Sequence, residues 1–145
     1  MLSIAFCDDE PIMLEELFNV VKGYIDSKKV EFTADLFESG EEFVEKGVRC
    51  RKYDIVFLDI EMKEMNGLEA AAWFRKLNEQ SKVIFVSSHV EYTLDAFKVA
   101  AFRYIIKNKD TMTQAVQEAL DACLDINPEI KQVKKYHFTE LDMFL

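Results

Sequence analysis

Charged and hydroxyl side chains follow short apolar runs at four places in this 145-residue chain. Asp8, Asp9 and Glu10 come just after Leu2–Phe6, and Asp59 directly follows Ile55–Leu58. Ser87 and Ser88 follow Lys82–Val86, and Lys107 follows Phe102–Ile106. If those runs are neighbouring parallel strands, their carboxyl ends share one rim, which is where open α/β sheets bind ligands. Carboxylates of Asp8, Asp9 and Asp59 in one cleft repel one another, and a single Lys107 does not neutralise them. Either their pKa values rise or a divalent cation joins them. All-oxygen donors with water retained suit Mg2+ better than Ca2+. A hard cation, a lysine and a hydroxyl beside one carboxylate are the parts needed to place a phosphoryl group on it. Asp59 is the expected nucleophile, because it ends a central run and precedes the Met62–Gly67 stretch. Taken singly, each residue has an ordinary explanation as a turn, cap or solvated side chain. Those explanations predict nothing about the order in which the residues occur.

The elements that must hold these residues alternate. Five short runs rich in β-branched and aromatic residues are Leu2–Phe6, Val30–Phe37, Ile55–Leu58, Lys82–Val86 and Phe102–Ile106. Between them apolar residues recur every three or four positions, as on helices. The first such segment carries Leu14, Leu17, Phe18, Val21, Tyr24 and Ile25, with Pro11 suited to its opening turn. The last carries Met112, Ala115, Val116, Ala119, Leu120 and Cys123, starting near Thr111. A further helix is expected over Glu91–Ala100. Strands alternating with helices predict an α/β fold, a doubly wound five-stranded parallel sheet covered on both faces. The third and fourth runs are continuously apolar, as doubly covered strands are. The second alternates Glu31, Thr33 and Asp35 with Phe32, Ala34 and Leu36, which places it at an edge.

Composition excludes several classes. Half the residues are hydrophobic, 12% are aromatic, and the net charge is −9. This argues for one packed domain and against a phosphate-backbone binder. The N-terminus lacks a basic region, its acidic triplet interrupts any leader-like stretch, and no apolar run approaches a membrane span. A cytoplasmic chain without membrane association is expected. Cys7, Cys50 and Cys123 have no paired spacing. Cys50 lies among Arg49, Arg51 and Lys52, whose charges lower a thiol pKa, but an ordinary structural cysteine is the better reading. His89 and His137 read as isolated, with neither a metal nor a catalytic role. Periodicity stops at Asn127-Pro128, so the domain is expected to cover residues 1–127.

The joint pattern resembles the receiver domain of two-component response regulators over residues 1–127. It rests on Asp8-Asp9, the block Phe57-Leu58-Asp59-Ile60-Glu61-Met62 with Asn66-Gly67, and Ser87, Tyr104 and Lys107. The stretch Ile84–His89, continuing through Glu91-Tyr92 to Ala96–Phe102, is similar to the subgroup that carries LytTR DNA-binding domains. That subgroup includes the accessory-gene regulators of quorum sensing. The resemblance implies a flavodoxin-like (βα)5 fold with strand order 2-1-3-4-5. It implies that Asp59 accepts phosphate from the phosphohistidine of a sensor histidine kinase. It further implies that Asp8 or Asp9, Asp59 and the backbone carbonyl of Glu61 hold Mg2+, and that Ser87 and Lys107 bind the phosphoryl oxygens. Tyr104 would be a switch aromatic, although it reads equally as a strand aromatic packed at the sheet edge. The output would be transcriptional, through homodimerisation of the phosphorylated form across Glu91–Ala100, the fifth strand and the last helix. DNA would be met only through an output domain beyond this chain.

Three residues depart from the family pattern. Lys63 stands where proline is usual, four positions after Asp59, which implies a less constrained Met62–Asn66 loop. Asn108 stands where proline usually follows the lysine, which implies a trans bond and a changed loop course there. That makes the reach of Lys107 an open matter, with Lys109 as a lesser substitute. Ser88 replaces a small apolar residue and bears on water access. Residues 128–145 read as a basic linker followed, at Tyr136–Leu145, by the opening of a LytTR-like domain. Two other functions fit part of the pattern. A Mg2+-dependent aspartyl-phosphate phosphohydrolase also uses a strand-end aspartate, but normally on the first strand in a DxD pattern. A stand-alone receiver acting as a phosphate sink needs no output domain. On the leading reading the chain is a phosphoacceptor module that catalyses its own phosphorylation and dephosphorylation, not a turnover enzyme.

Overall fold

The computed structural model describes residues 1–126; the expectations for residues 128–145 lie outside the described residues. Five parallel strands, β1 (Leu2–Cys7), β2 (Phe32–Phe37), β3 (Ile55–Leu58), β4 (Lys82–Ser87) and β5 (Arg103–Ile106), form one sheet in the order β2-β1-β3-β4-β5. The helices are α1 (Pro11–Ser27), α2 (Gly40–Glu45), α3 (Gly67–Leu77), α4 (Thr93–Lys98) and α5 (Met112–Ile126), with a 3-10 turn at Gly47–Lys52. The fold class, the strand order and the edge position of β2 agree with expectation.

Alternation within the strands divides the core into two layers. On one face Leu2, Ile4, Phe6, Phe57 and Ile84 meet Leu14, Leu17, Val21 and Ile25 of α1 and Val116, Leu120 and Leu124 of α5. On the other, Ala5, Val56, Leu58, Val83 and Phe85 meet Phe43 of α2, Ala70, Ala71 and Phe74 of α3, and Ala96 of α4. All four residues of β3 are buried, as a strand covered on both faces requires.

Two elements, β2 and α4, differ by two residues at an end from the sequence expectation. Val30 was expected to open β2, but its amide donates to the Ile25 carbonyl and Lys29 adopts φ 59°. The pair closes the C-terminus of α1 in a left-handed cap, so the strand starts at Phe32. α4 is shorter than Glu91–Ala100. It stops at Lys98, and Ala100 adopts φ 56°. The Arg75 guanidinium from α3 takes the Val99 and Ala100 carbonyls, each at 2.8 Å.

Candidate functional site

Backbone bonds that continue past the strand ends fix the rim. The Asp8 amide donates to the Phe37 carbonyl (3.1 Å), Asp59 to Cys7 (2.9 Å) and Lys107 to Ser87 (2.8 Å). The residues after β1, β3 and β5 are thereby tied to neighbouring strands before their side chains act. Gly67 completes the arrangement from behind. A Cβ there would stand 2.0 Å from the Asp59 carbonyl oxygen, and its amide donates to the Ile60 carbonyl at 2.8 Å. Only glycine lets the first turn of α3 approach the Asp59 backbone so closely. Asn66 and Glu69 close a reciprocal capping box at that helix start.

The Lys107 ammonium lies 2.9 Å from Asp8 Oδ2, 3.2 Å from Asp59 Oδ2 and 3.4 Å from Glu10 Oε1. The Lys107 side chain is 7% exposed and those of Asp8 and Asp59 are 5% exposed. Asn108 in place of proline therefore leaves the reach of Lys107 intact. The Asn108 side chain accepts from the Asp110 amide at 2.8 Å, and its carbonyl accepts from Met112 at 2.9 Å, which leads the chain into α5.

Asp8, Glu10 and Asp59 each bring a carboxylate oxygen within 4.8 Å of the others. One ammonium among three carboxylates leaves the cluster short of positive charge. Burial pushes the Asp59 carboxyl up to about 7, the charge of Asp8 adds to this, and Lys107 opposes it. Lys107 shows the complement. Burial works against its charge, but the hydrogen bond to Asp8 and the fields of Asp59 and Asp8 outweigh it and hold the ammonium above its usual range.

Ser87 is fully buried at the end of β4, and its hydroxyl accepts from the His89 amide at 3.1 Å. Tyr104 is half-buried, packs against Phe85 with ring centroids 6.3 Å apart, and donates its hydroxyl to the His89 carbonyl. Asp9 does not join the three clustered carboxylates. Its Oδ2 accepts from the Lys63 amide at 3.1 Å, while Asp8 Oδ1 accepts from the Glu10 amide at 2.9 Å and draws Glu10 inward. Glu61 lies two residues before Lys63 in the same loop. The Met62–Asn66 loop is held by this bond and by the Met65 amide donating to Glu41 Oε2 at 3.0 Å.

Two features escaped the sequence reading. Glu10 stands in the cluster in the place expected for Asp9. His89 is not isolated: its Nε2 lies 2.8 Å from Glu61 Oε1 and its Nδ1 3.3 Å from Glu91 Oε2, while the Tyr92 hydroxyl donates to Glu61 Oε2 at 3.1 Å. A signal for this pairing exists. Leu58 is in register with Phe85, so the loops that follow β3 and β4 leave the sheet side by side, and Glu61 and His89 stand three and four residues past that last pair. Cys50 is buried and its thiol is pushed up to about 11, because burial outweighs the neighbouring cations. Cys7 and Cys123 are also buried free thiols.

The model of the response regulator receiver domain matches residues 4–118. The chain belongs to that family. Among its relatives is the transcriptional regulatory protein LytR of Staphylococcus aureus, 31% identical over 103 residues, 69% of this chain and 39% of that protein. The sensory transduction protein LytT of Bacillus anthracis is 35% identical over 112 residues, 76% of this chain and 43% of that protein. These relatives support the subgroup read from Ile84–Phe102. The receiver chain spans about two fifths of their length. The response regulator TrrA of Thermotoga maritima, solved in complex with Mg2+ and BeF, superposes with a TM-score of 0.65 at 29% identity, covering 85% of this chain and 99% of that one. Among the described residues no helix is long and apolar enough to cross a membrane.

Proposed function

We propose that this receiver domain accepts a phosphoryl group on Asp59 from the phosphohistidine of a sensor histidine kinase. The observation that carries the reading is the buried Lys107 ammonium between Asp8 and Asp59 at the carboxyl end of the sheet. The donor set fits a hard divalent cation, since its oxygens converge and its negative charge exceeds what Lys107 supplies. Asp59 with Asp8 or Asp9, the Glu61 backbone carbonyl and Glu10 would hold Mg2+. When bound, the ion neutralises charge on phosphoryl oxygens. TrrA, whose structure holds Mg2+ and BeF, supports carrying this over.

Asp59 acts as the nucleophile. Its oxygen forms the new bond to phosphorus as the donor imidazole leaves. Lys107 then faces a phosphoryl oxygen in place of a bare carboxylate. Ser87, beside it on β4, offers its hydroxyl to a second oxygen. Drawing Ser87 toward the phosphoryl group changes its bond with the His89 amide, and the Tyr104 hydroxyl holds the carbonyl of that same residue. The β4–α4 loop is thus the element through which charge at Asp59 reaches α4. The domain spans residues 1–127, catalyses its own phosphorylation and dephosphorylation, and serves a cytoplasmic regulator. Its output is transcriptional, through a homodimer and a DNA-binding region beyond this chain, as the names of LytR and LytT suggest.

Intact-mass spectrometry after incubation with acetyl phosphate tests the acceptor. One added phosphoryl group that needs both Mg2+ and Asp59 is expected, with none on Asp59→Ala. Addition that survives Asp59→Ala would overturn the assignment.

A further inference from the structure

The Asp9 carboxylate is adjacent in sequence to Asp8, yet it faces the β3–α3 loop. Its Oδ2 accepts from the Lys63 backbone amide at 3.1 Å. Asp9 is half-buried and Lys63 exposed, so the bond spans the gap between two loops at the mouth of the site. With Asp9 engaged there, the third corner of the carboxylate cluster is taken by exposed Glu10, whose amide is bonded to Asp8 Oδ1. The Lys63 side chain takes no part in this bond. Any residue but proline supplies the same N–H.

We propose that the Lys63 amide is a positioning group that holds Asp9 out of the carboxylate cluster and thereby weakens metal binding at the site. The inference rests on the reading of Asp8, Asp9 and Asp59 as a Mg2+ site. Asp9 stands outside the carboxylate cluster while bonded to this amide, so bringing it to a cation shared with Asp8 and Asp59 means turning it away from Lys63, and the affinity is reduced by what the bond contributes. Recruitment of Asp9 also frees the Lys63 end of the β3–α3 loop, while Met65 stays tied to Glu41. Filling the metal site and releasing one end of that loop are then a single event. The two loops are coupled by one hydrogen bond before any phosphoryl group arrives.

Two variants separate the amide from the side-chain charge. Lys63→Ala loses the ammonium and keeps the N–H; Lys63→Pro loses both. Calorimetric titration of the unphosphorylated chain with MgCl2 is expected to show Lys63→Pro binding about three- to tenfold tighter than Lys63→Ala. Equal or weaker binding by Lys63→Pro overturns the proposal. Hydrogen exchange of the unmodified chain gives a readout that does not depend on the proline variant folding. Protection of the Lys63 amide should fall on Mg2+ addition while that of Met65 is kept; undiminished Lys63 protection at saturation also overturns the proposal. Saturable Mg2+ binding that Asp59→Ala abolishes upholds the metal-site reading by itself. No such binding to the unmodified chain would overturn that reading and this inference together.

Discussion

At the scale of single residues, the site is a case of charge held where burial opposes it. Asp59 is pushed up to about 7 from 3.8, chiefly by burial and next by Asp8. A carboxyl whose folded pKa is raised favours folding while it is protonated. That contribution is full below pH 4 and is lost as pH rises through about 7. Above pH 7 the unphosphorylated domain therefore carries an ionised Asp59 that weakens the fold. Asp59→Asn should be more stable than the parent at pH 8 by about 1–3 kcal/mol, with the difference shrinking toward pH 5. Urea unfolding at the two pH values measures it, and a gap that does not change with pH would rule out ionisation of Asp59 as its cause. Asp8, Asp59, Ser87 and Lys107 were legible in the sequence because each ends or follows a strand of a parallel sheet, and topology alone brings strand ends together. The placement of Glu10 and the outward turn of Asp9 were not. They depend on which loop amide each carboxylate meets, and Lys63 lies 54 residues from Asp9. His89 escaped for the same reason, since its partner Glu61 sits in another loop.

At the scale of elements, β3 and α3 are a unit whose spacing is set by Gly67. The loop from Asp59 to Gly67 turns back so tightly that a methyl group would stand 2.0 Å from the Asp59 carbonyl. The strand end and the helix start cannot both remain in place once a Cβ is added. Gly67→Ala is expected to destabilise the domain by about 1–3 kcal/mol, as overpacking does. It is also expected to abolish phosphoryl acceptance, because the displaced backbone is that of the acceptor. Unfolding midpoints together with acetyl phosphate labelling check both, and a stable variant that still labels would show that the loop relaxes elsewhere. Strand positions were legible to within two residues because apolar runs and turn residues act locally. The end of α4 was not, since Arg75 of α3 takes the carbonyls of Val99 and Ala100 there. The cap at Lys29 was hidden because lysine stands where glycine usually announces a left-handed helix end.

At the scale of the whole molecule, the two sheet faces differ in what they leave uncovered. α1 and α5 pack over one layer, whereas α4 gives the other only Ala96 as a fully buried residue. Val90, Leu94 and Phe97 recur at four- and three-residue steps and are 62%, 78% and 82% exposed. That stripe begins within the β4–α4 loop, at the residue after His89, whose carbonyl receives Tyr104. A change at Ser87 and Tyr104 is therefore positioned to alter how the stripe is presented. A net charge of −9 on each copy opposes pairing, so apolar contact must outweigh repulsion that salt screens. The homodimer proposed for the phosphorylated form should accordingly strengthen with salt. Phe97→Glu adds a charge at the most exposed residue of the stripe and should weaken association of the phosphoryl-analogue form at least about tenfold, the equivalent of about 1.4 kcal/mol. Acetyl phosphate should still label its Asp59, since the Phe97 side chain is 82% exposed on α4. Sedimentation velocity with and without beryllofluoride and Mg2+, at low and high salt, measures both effects. A dimer that Phe97→Glu leaves intact would move the interface off α4, and one that weakens with salt would mean that ion pairs rather than apolar contact join the copies.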